Sequence, residues 1–198
     1  MSLQWFTATL NYYGIVFTTI SLSADPYANF TLLMTAEAVS HIFSLIVLNV
    51  IGRRRLLIAS QALAGTACLA AGLGLEGPSW AVTVLVMTGK FGAACAFNTV
   101  YLYTAELYPT NVRGRAMGLC STVARVAGFA AVLIGALARV WRPLPMVVMG
   151  SWAVVCGVLA GFFPETAWSN MPETMEDAIM IGTKEKKNGQ IRTDNQEE

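Results

Sequence analysis

Long apolar runs dominate this chain. Six of them, at approximately 5–24, 30–51, 56–76, 80–103, 116–138 and 144–163, each reach the length of about 20 residues that crosses a bilayer core. They fill almost everything before residue 164 and predict an all-α membrane protein with six transmembrane helices. The first run starts within five residues of Met1 with no basic leader or small-residue cleavage site, so it reads as a span and not as a removable signal peptide. Two regions follow: 1–163, a six-span half-domain, and 164–198, a polar cytoplasmic tail.

Composition agrees with the pattern. Of 198 residues 55% are apolar and 13% charged, against roughly 25% charged in an average soluble domain. A net charge of +1 excludes the basic balance of a nucleic-acid binder. The four cysteines, Cys68, Cys95, Cys120 and Cys156, each fall in or beside a different span with no metal-binding spacing, and read as small packing residues.

Charge also sets an orientation. Arg53, Arg54, Arg55, Arg113, Arg115, Lys184, Lys186, Lys187 and Arg192 lie on one side of a six-span chain, while the opposite loops hold Arg139 and Arg142. Lys and Arg are enriched in cytoplasmic loops, so both termini are expected in the cytoplasm. In the tail, Pro172, Glu173 and Thr174 open a pattern for a short amphipathic helix, and the last fifteen or so residues have a disordered composition. Asn29-Phe30-Thr31 is a glycosylation sequon in a very short outer loop, either used or left unmodified so near the bilayer.

Polar side chains inside spans are costly, and ionisable ones usually face a bundle interior or a water-filled cavity. Glu37 and His41 occupy the second run, Lys90 the fourth and Arg125 the fifth; the first carries Asn11, Tyr12, Tyr13, Thr18 and Thr19. Spans one, two, four and five therefore line a polar path. Spans three and six, with no ionisable residue inside their apolar stretches, suit the lipid-facing outside. Glu37 and His41 share a helix face at i, i+4 and form either a structural pair or a proton-coupling pair. Lys90, among small residues, either serves close helix approach or pairs with Glu37. Arg125 is too deep for easy snorkelling and needs a partner or a substrate anion. Tyr12, Tyr13, Phe97 and Tyr101 supply rings for packing or for stacking on flat organic ions and cations.

The loop Tyr103-Thr104-Ala105-Glu106-Leu107-Tyr108-Pro109-Thr110-Asn111-Val112-Arg113, the run Gly52-Arg53-Arg54-Arg55 and Pro164-Glu165-Thr166 bring acids and bases to the cytoplasmic face, as a solvated charge run or as a gate. Together with Asn11-Tyr12-Tyr13-Gly14, Gly89-Lys90-Phe91 and Pro172-Glu173-Thr174, these segments resemble the major facilitator superfamily. More narrowly, they resemble its organic ion transporters, which include cation, carnitine and anion transporters. The glutamine-rich first-span motif of sugar porters is absent.

The resemblance implies the last six of twelve spans, one wall of a cavity formed between two halves. It implies substrate contacts from Tyr12, Tyr13, Glu37, His41, Lys90, Phe97, Tyr101 and Arg125, and a cytoplasmic gate of Arg53, Arg54, Glu106, Arg113 and Glu165. The segment around Arg125 is similar to anion and carnitine-type members, where cation transporters typically carry an acid, which favours an anion or zwitterion. His41 stands where anion transporters often have lysine, and Asn49-Val50 where many members have Asp-Arg.

The expected function is alternating-access transport of small organic ions in the plasma membrane, without enzyme chemistry, metal or cofactor. The expected partners are the lipid bilayer, the substrate, and the missing N-terminal six-helix half or another transporter chain; nucleic acid is not among them. The alternative is a non-transporting truncated isoform that associates with or regulates an intact transporter.

Overall fold

A computed structural model describes residues 1–20, 26–74 and 79–163. Six long helices run through them: α1 Ser2–Ile20, α2 Pro26–Ile51, α3 Arg53–Leu73, α4 Ser79–Leu107, α5 Thr110–Ala136 and α6 Leu144–Ala160, with a 3₁₀ turn Leu137–Arg139 before α6. Among the described residues there is no strand. The tail 164–198, with its expected amphipathic helix and with Glu165, lies outside the described residues.

Within the described residues each predicted run forms a helix, but the helices overrun the apolar stretches on the arginine-rich side. The expected charged loop from Tyr103 to Arg113 is helical except at Tyr108 and Pro109. Apolarity marks where hydrocarbon ends, whereas backbone hydrogen bonding continues until a residue breaks it. Pro109, extended at φ −62° and ψ 153°, is that break. Between α2 and α3 the break is Gly52 alone, whose φ of 95° disfavours a side chain. Helix α2 begins at Pro26, so Asn29 sits in its first turn, 8% exposed, and not in an outer loop.

Four segments are long and apolar enough to cross a membrane by length and composition, Tyr27–Leu48, Arg53–Leu73, Trp80–Leu107 and Thr110–Arg139, and Leu144–Ala160 is a shorter apolar helix. Helix α1 falls outside that group because Gln4, Thr7, Thr9, Asn11 and Thr18 lower its apolarity. All five are buried in the bundle. Gln4 Nε2 donates to the Cys156 carbonyl at 2.8 Å, Gln61 Nε2 to Gln4 Oε1 at 2.9 Å, and Trp152 Nε1 to Thr7 Oγ1 at 3.0 Å.

Those bonds join α1, α3 and α6, and they revise the reading of α3 as a lipid-facing helix. Its apolar window is 56% buried, against 22% for α2 and for α5. The helix lies between α4 and α6. Beyond its three leading arginines it has no acid or base, yet its small residues admit close neighbours. A β-carbon on Gly65 would stand 2.9 Å from the Gly150 carbonyl oxygen of α6, and one on Gly150 2.8 Å from that of Gly65. Helix α1 packs on α5 through a row at helical spacing, Cys120, Ala124, Ala127 and Ala131, all buried. All four cysteines are free and buried, as packing residues should be.

Candidate functional site

Where α1, α2 and α4 meet, Tyr12, Glu37 and Lys90 form one cluster. The Tyr12 hydroxyl donates to Glu37 Oε1. Lys90 Nζ lies 3.0 Å from Glu37 Oε2 and 3.4 Å from the centre of the Tyr12 ring. Lys90 is fully enclosed and the Glu37 side chain is 18% exposed. The Lys90 contact has ion-pair distance without hydrogen-bond alignment, and neither Nζ nor Oε2 has a hydrogen-bond partner. The ammonium is therefore held by charge and by the ring face together, both strengthened where water is excluded.

This arrangement changes the expected pairing within α2. The i, i+4 spacing places His41 one turn from Glu37, but the imidazole Nδ1 donates to the Glu37 backbone carbonyl at 2.8 Å. His41 is exposed, whereas Lys90 is buried and has no water to turn to, so the carboxylate serves the lysine and the tyrosine.

The rings of the site form a continuous row. Tyr13 meets Tyr12 edge-on with centroids 5.1 Å apart, Tyr12 stacks on Phe97 at 4.9 Å, and Phe97 tilts against Tyr101 at 5.1 Å. Trp5, which the sequence reading did not single out, ends the row 4.1 Å from Tyr101. It is anchored by its indole N–H, which donates to Thr104 Oγ1 at 2.8 Å. The available signal was its position seven residues before Tyr12, two helical turns along one face of α1. Tyr13, at the other end of the row, is 42% exposed, and Tyr101, beside Trp5, is 40% exposed.

Arg125 stands apart. It is exposed on α5, off the alanine row that packs on α1, and among the described residues it has no ion-pair or hydrogen-bond partner. The structure thus brings Tyr12, Tyr13, Glu37, Lys90, Phe97 and Tyr101 together, links His41 only through a backbone carbonyl, and leaves Arg125 on an open face.

At the arginine-rich end, Arg53 grips Glu106 with two nitrogens: Nε is 2.9 Å from Oε2, and Nη2 donates to Oε1 at 2.9 Å. Arg53 Nη1 also donates to the Leu48 carbonyl at 3.2 Å, so one guanidinium ties the ends of α2 and α4 to the start of α3. Arg54 donates to the Gly161 carbonyl just beyond α6, and Arg113 Nε to the Tyr108 carbonyl at 3.3 Å. Glu106 is nearly buried, which favours the two-pronged geometry that only arginine supplies.

The sequence model of the Major Facilitator Superfamily matches residues 1–188 of the chain. The chain belongs to that superfamily. Within it, the chain is similar to the organic cation transporter protein of Drosophila melanogaster, 34% identical over 181 residues that make up 91% of this chain and 33% of the relative. It is also similar to solute carrier family 22 member 3 of Rattus norvegicus, 34% identical over 198 residues, 96% of this chain and 36% of that protein. A third relative is organic cation/carnitine transporter 2 of Rattus norvegicus, 33% identical over 177 residues, 89% of this chain and 32% of the relative. The chain thus spans about a third of the length of the curated relatives it matches. Superfamily membership and the apolar helices make it a multi-pass membrane protein.

Proposed function

We propose that this chain forms one half of a transporter that moves small organic ions by alternating access, with α1, α2, α4 and α5 lining the substrate path. The observation that carries the reading is the ring row from Tyr13 to Tyr101 with the Lys90–Glu37 pair fixed against it. Rings partly open at Tyr13 and Tyr101 offer faces to a flat organic body, and binding and release need no covalent step. The names of the relatives, organic cation and carnitine transporters, support small organic ions as the class.

Within that class we favour an anion or zwitterion. The Glu37 carboxylate is engaged by Lys90 and Tyr12, whereas Arg125 presents an unengaged guanidinium on the open face of α5. Arg125 takes the substrate carboxylate, the rings take its organic body, and Arg53, Arg54, Glu106, Arg113 and Glu165 form the cytoplasmic gate. The plasma membrane, with both termini in the cytoplasm, is the proposed setting, and a further six-helix half is the proposed partner.

Uptake by the intact transporter carrying this half tests the assignment, with a matched organic anion, zwitterion and cation as probes. Arg125→Ala should cut anion and zwitterion uptake about tenfold or more, the worth of a lost charge-assisted bond. Unchanged uptake at equal surface abundance removes Arg125 from the site. The second reading, a non-transporting isoform that associates with an intact transporter, draws on the exposed apolar face of α2, including Ile42, Leu45 and Ile46, which needs a cover. Co-precipitation with a full-length relative, without uptake by the chain and its complementary half, would favour it.

A further inference from the structure

At the end of the bundle opposite Arg53 and Glu106, the last turn of α3 and the α5–α6 connection enclose an open cleft of about 590 Å³. The connection is wound tightly: the Trp141 N–H donates to the Leu137 carbonyl at 3.2 Å and the Leu144 N–H to the Trp141 carbonyl at 3.1 Å. It puts Arg139, Trp141 and Arg142 on the cleft wall. Gly72 closes the opposite side, since a β-carbon there would stand 3.0 Å from Val147 and 3.4 Å from the Pro143 carbonyl oxygen.

Both guanidiniums are exposed, and among the described residues neither has an ion-pair or hydrogen-bond partner. Beside them the wall is apolar and open: Trp141 is 55% exposed and Leu73 76%. Two of the membrane-crossing segments, Arg53–Leu73 and Thr110–Arg139, end at this cleft, which places it at a bilayer boundary.

We propose that this cleft holds a phospholipid headgroup, with Arg139 and Arg142 on the phosphate and Trp141 and Leu73 against the glycerol and the first acyl carbons. Two guanidiniums suit a phosphate because each offers paired N–H donors. The apolar half of the wall selects a lipid over a soluble phosphate, which would leave Trp141 and Leu73 against water. Tryptophan at the interface and basic pockets between helix ends are general means of holding lipid.

The test uses the 198-residue chain in detergent, with phosphatidylcholine and phosphatidylglycerol added and retained lipid counted by native mass spectrometry. One phospholipid should stay bound per chain. The double variant Arg139→Gln/Arg142→Gln should lower retention at least about tenfold, while Arg115→Gln, an exposed arginine at the far end, should leave it unchanged. An Arg139→Lys/Arg142→Lys pair keeps the charge without the paired donors and should fall between the parent and the Gln pair, so retention by the Lys pair equal to the parent overturns the guanidinium role. Equal retention by the Gln pair and the parent overturns the proposal itself. Displacement by millimolar inorganic phosphate would identify a free-anion site and overturn the lipid assignment.

Discussion

Replacing Lys90 by methionine removes a charge and little volume from a position with no exposure. It strands the Glu37 carboxylate, which keeps the Tyr12 hydroxyl but loses a cation 3.0 Å away. Breaking a fully buried ion pair from one side costs about 3–5 kcal/mol, and the lost ring contact adds about 1 kcal/mol. Partial exposure of Glu37 and its remaining hydrogen bond reduce the sum, leaving an expected loss of about 3 kcal/mol, roughly a hundredfold in the folded-to-unfolded ratio. Glu37→Gln should cost more, because the ammonium it strands is wholly enclosed. The double variant should recover much of the loss, since a shared pair couples its members by about 0.5–3 kcal/mol. Denaturant titration of the purified chain in mixed micelles, followed by helix content, measures all three variants. Single-variant losses under about 0.5 kcal/mol, or a double variant equal to the sum of the singles, would refute the account of the cluster as an interdependent pair.

Gly65→Val should destabilise the same preparation by about 1–3 kcal/mol, because its side chain meets the Gly150 carbonyl and Val154. Gly118→Ala, with nothing within 4 Å of the added carbon, should be neutral or slightly stabilising in the same titration. Trp5→Phe keeps a ring beside Tyr101 but leaves Thr104 without its donor, for an expected loss of about 1 kcal/mol in the same assay. At the arginine-rich end, Arg53→Glu and Glu106→Arg should each abolish uptake by the intact transporter, and the swap of both should restore part of it. Failure of the swap to improve on either single variant would separate the pair from gating.

Several elements of the site were legible before the fold. Lys90 and Glu37 stood out because ionisable groups in apolar runs must find partners, and each is the other's partner. Tyr12, Phe97 and Tyr101 were recognisable as rings on the right helices, though their assembly into one row was not. The choice of Glu37 between His41 and Lys90 was hidden, because helix spacing states which groups share a face and not which neighbour arrives across the interface. Gln61 was missed for a related reason: an amide carries no charge, yet it is buried and bonded to Gln4.

By itself the sequence determined the number, order and approximate limits of the long helices among the described residues, because a helix in lipid satisfies its own backbone and needs only a long enough apolar run. The breaks at Gly52 and Pro109 were not read from it: the run from Tyr103 to Arg113 was expected to be a loop, and the structure confines the break to Tyr108 and Pro109. Tertiary structure alone decided that α3 lies between α4 and α6, that Arg53 reaches Glu106, 53 positions away, and that Trp5 ends the ring row. Those outcomes depend on close approach at Gly65 and Gly150 and on competition among partners from different helices. Both are properties of assembled surfaces, and neither is present in any single run of residues.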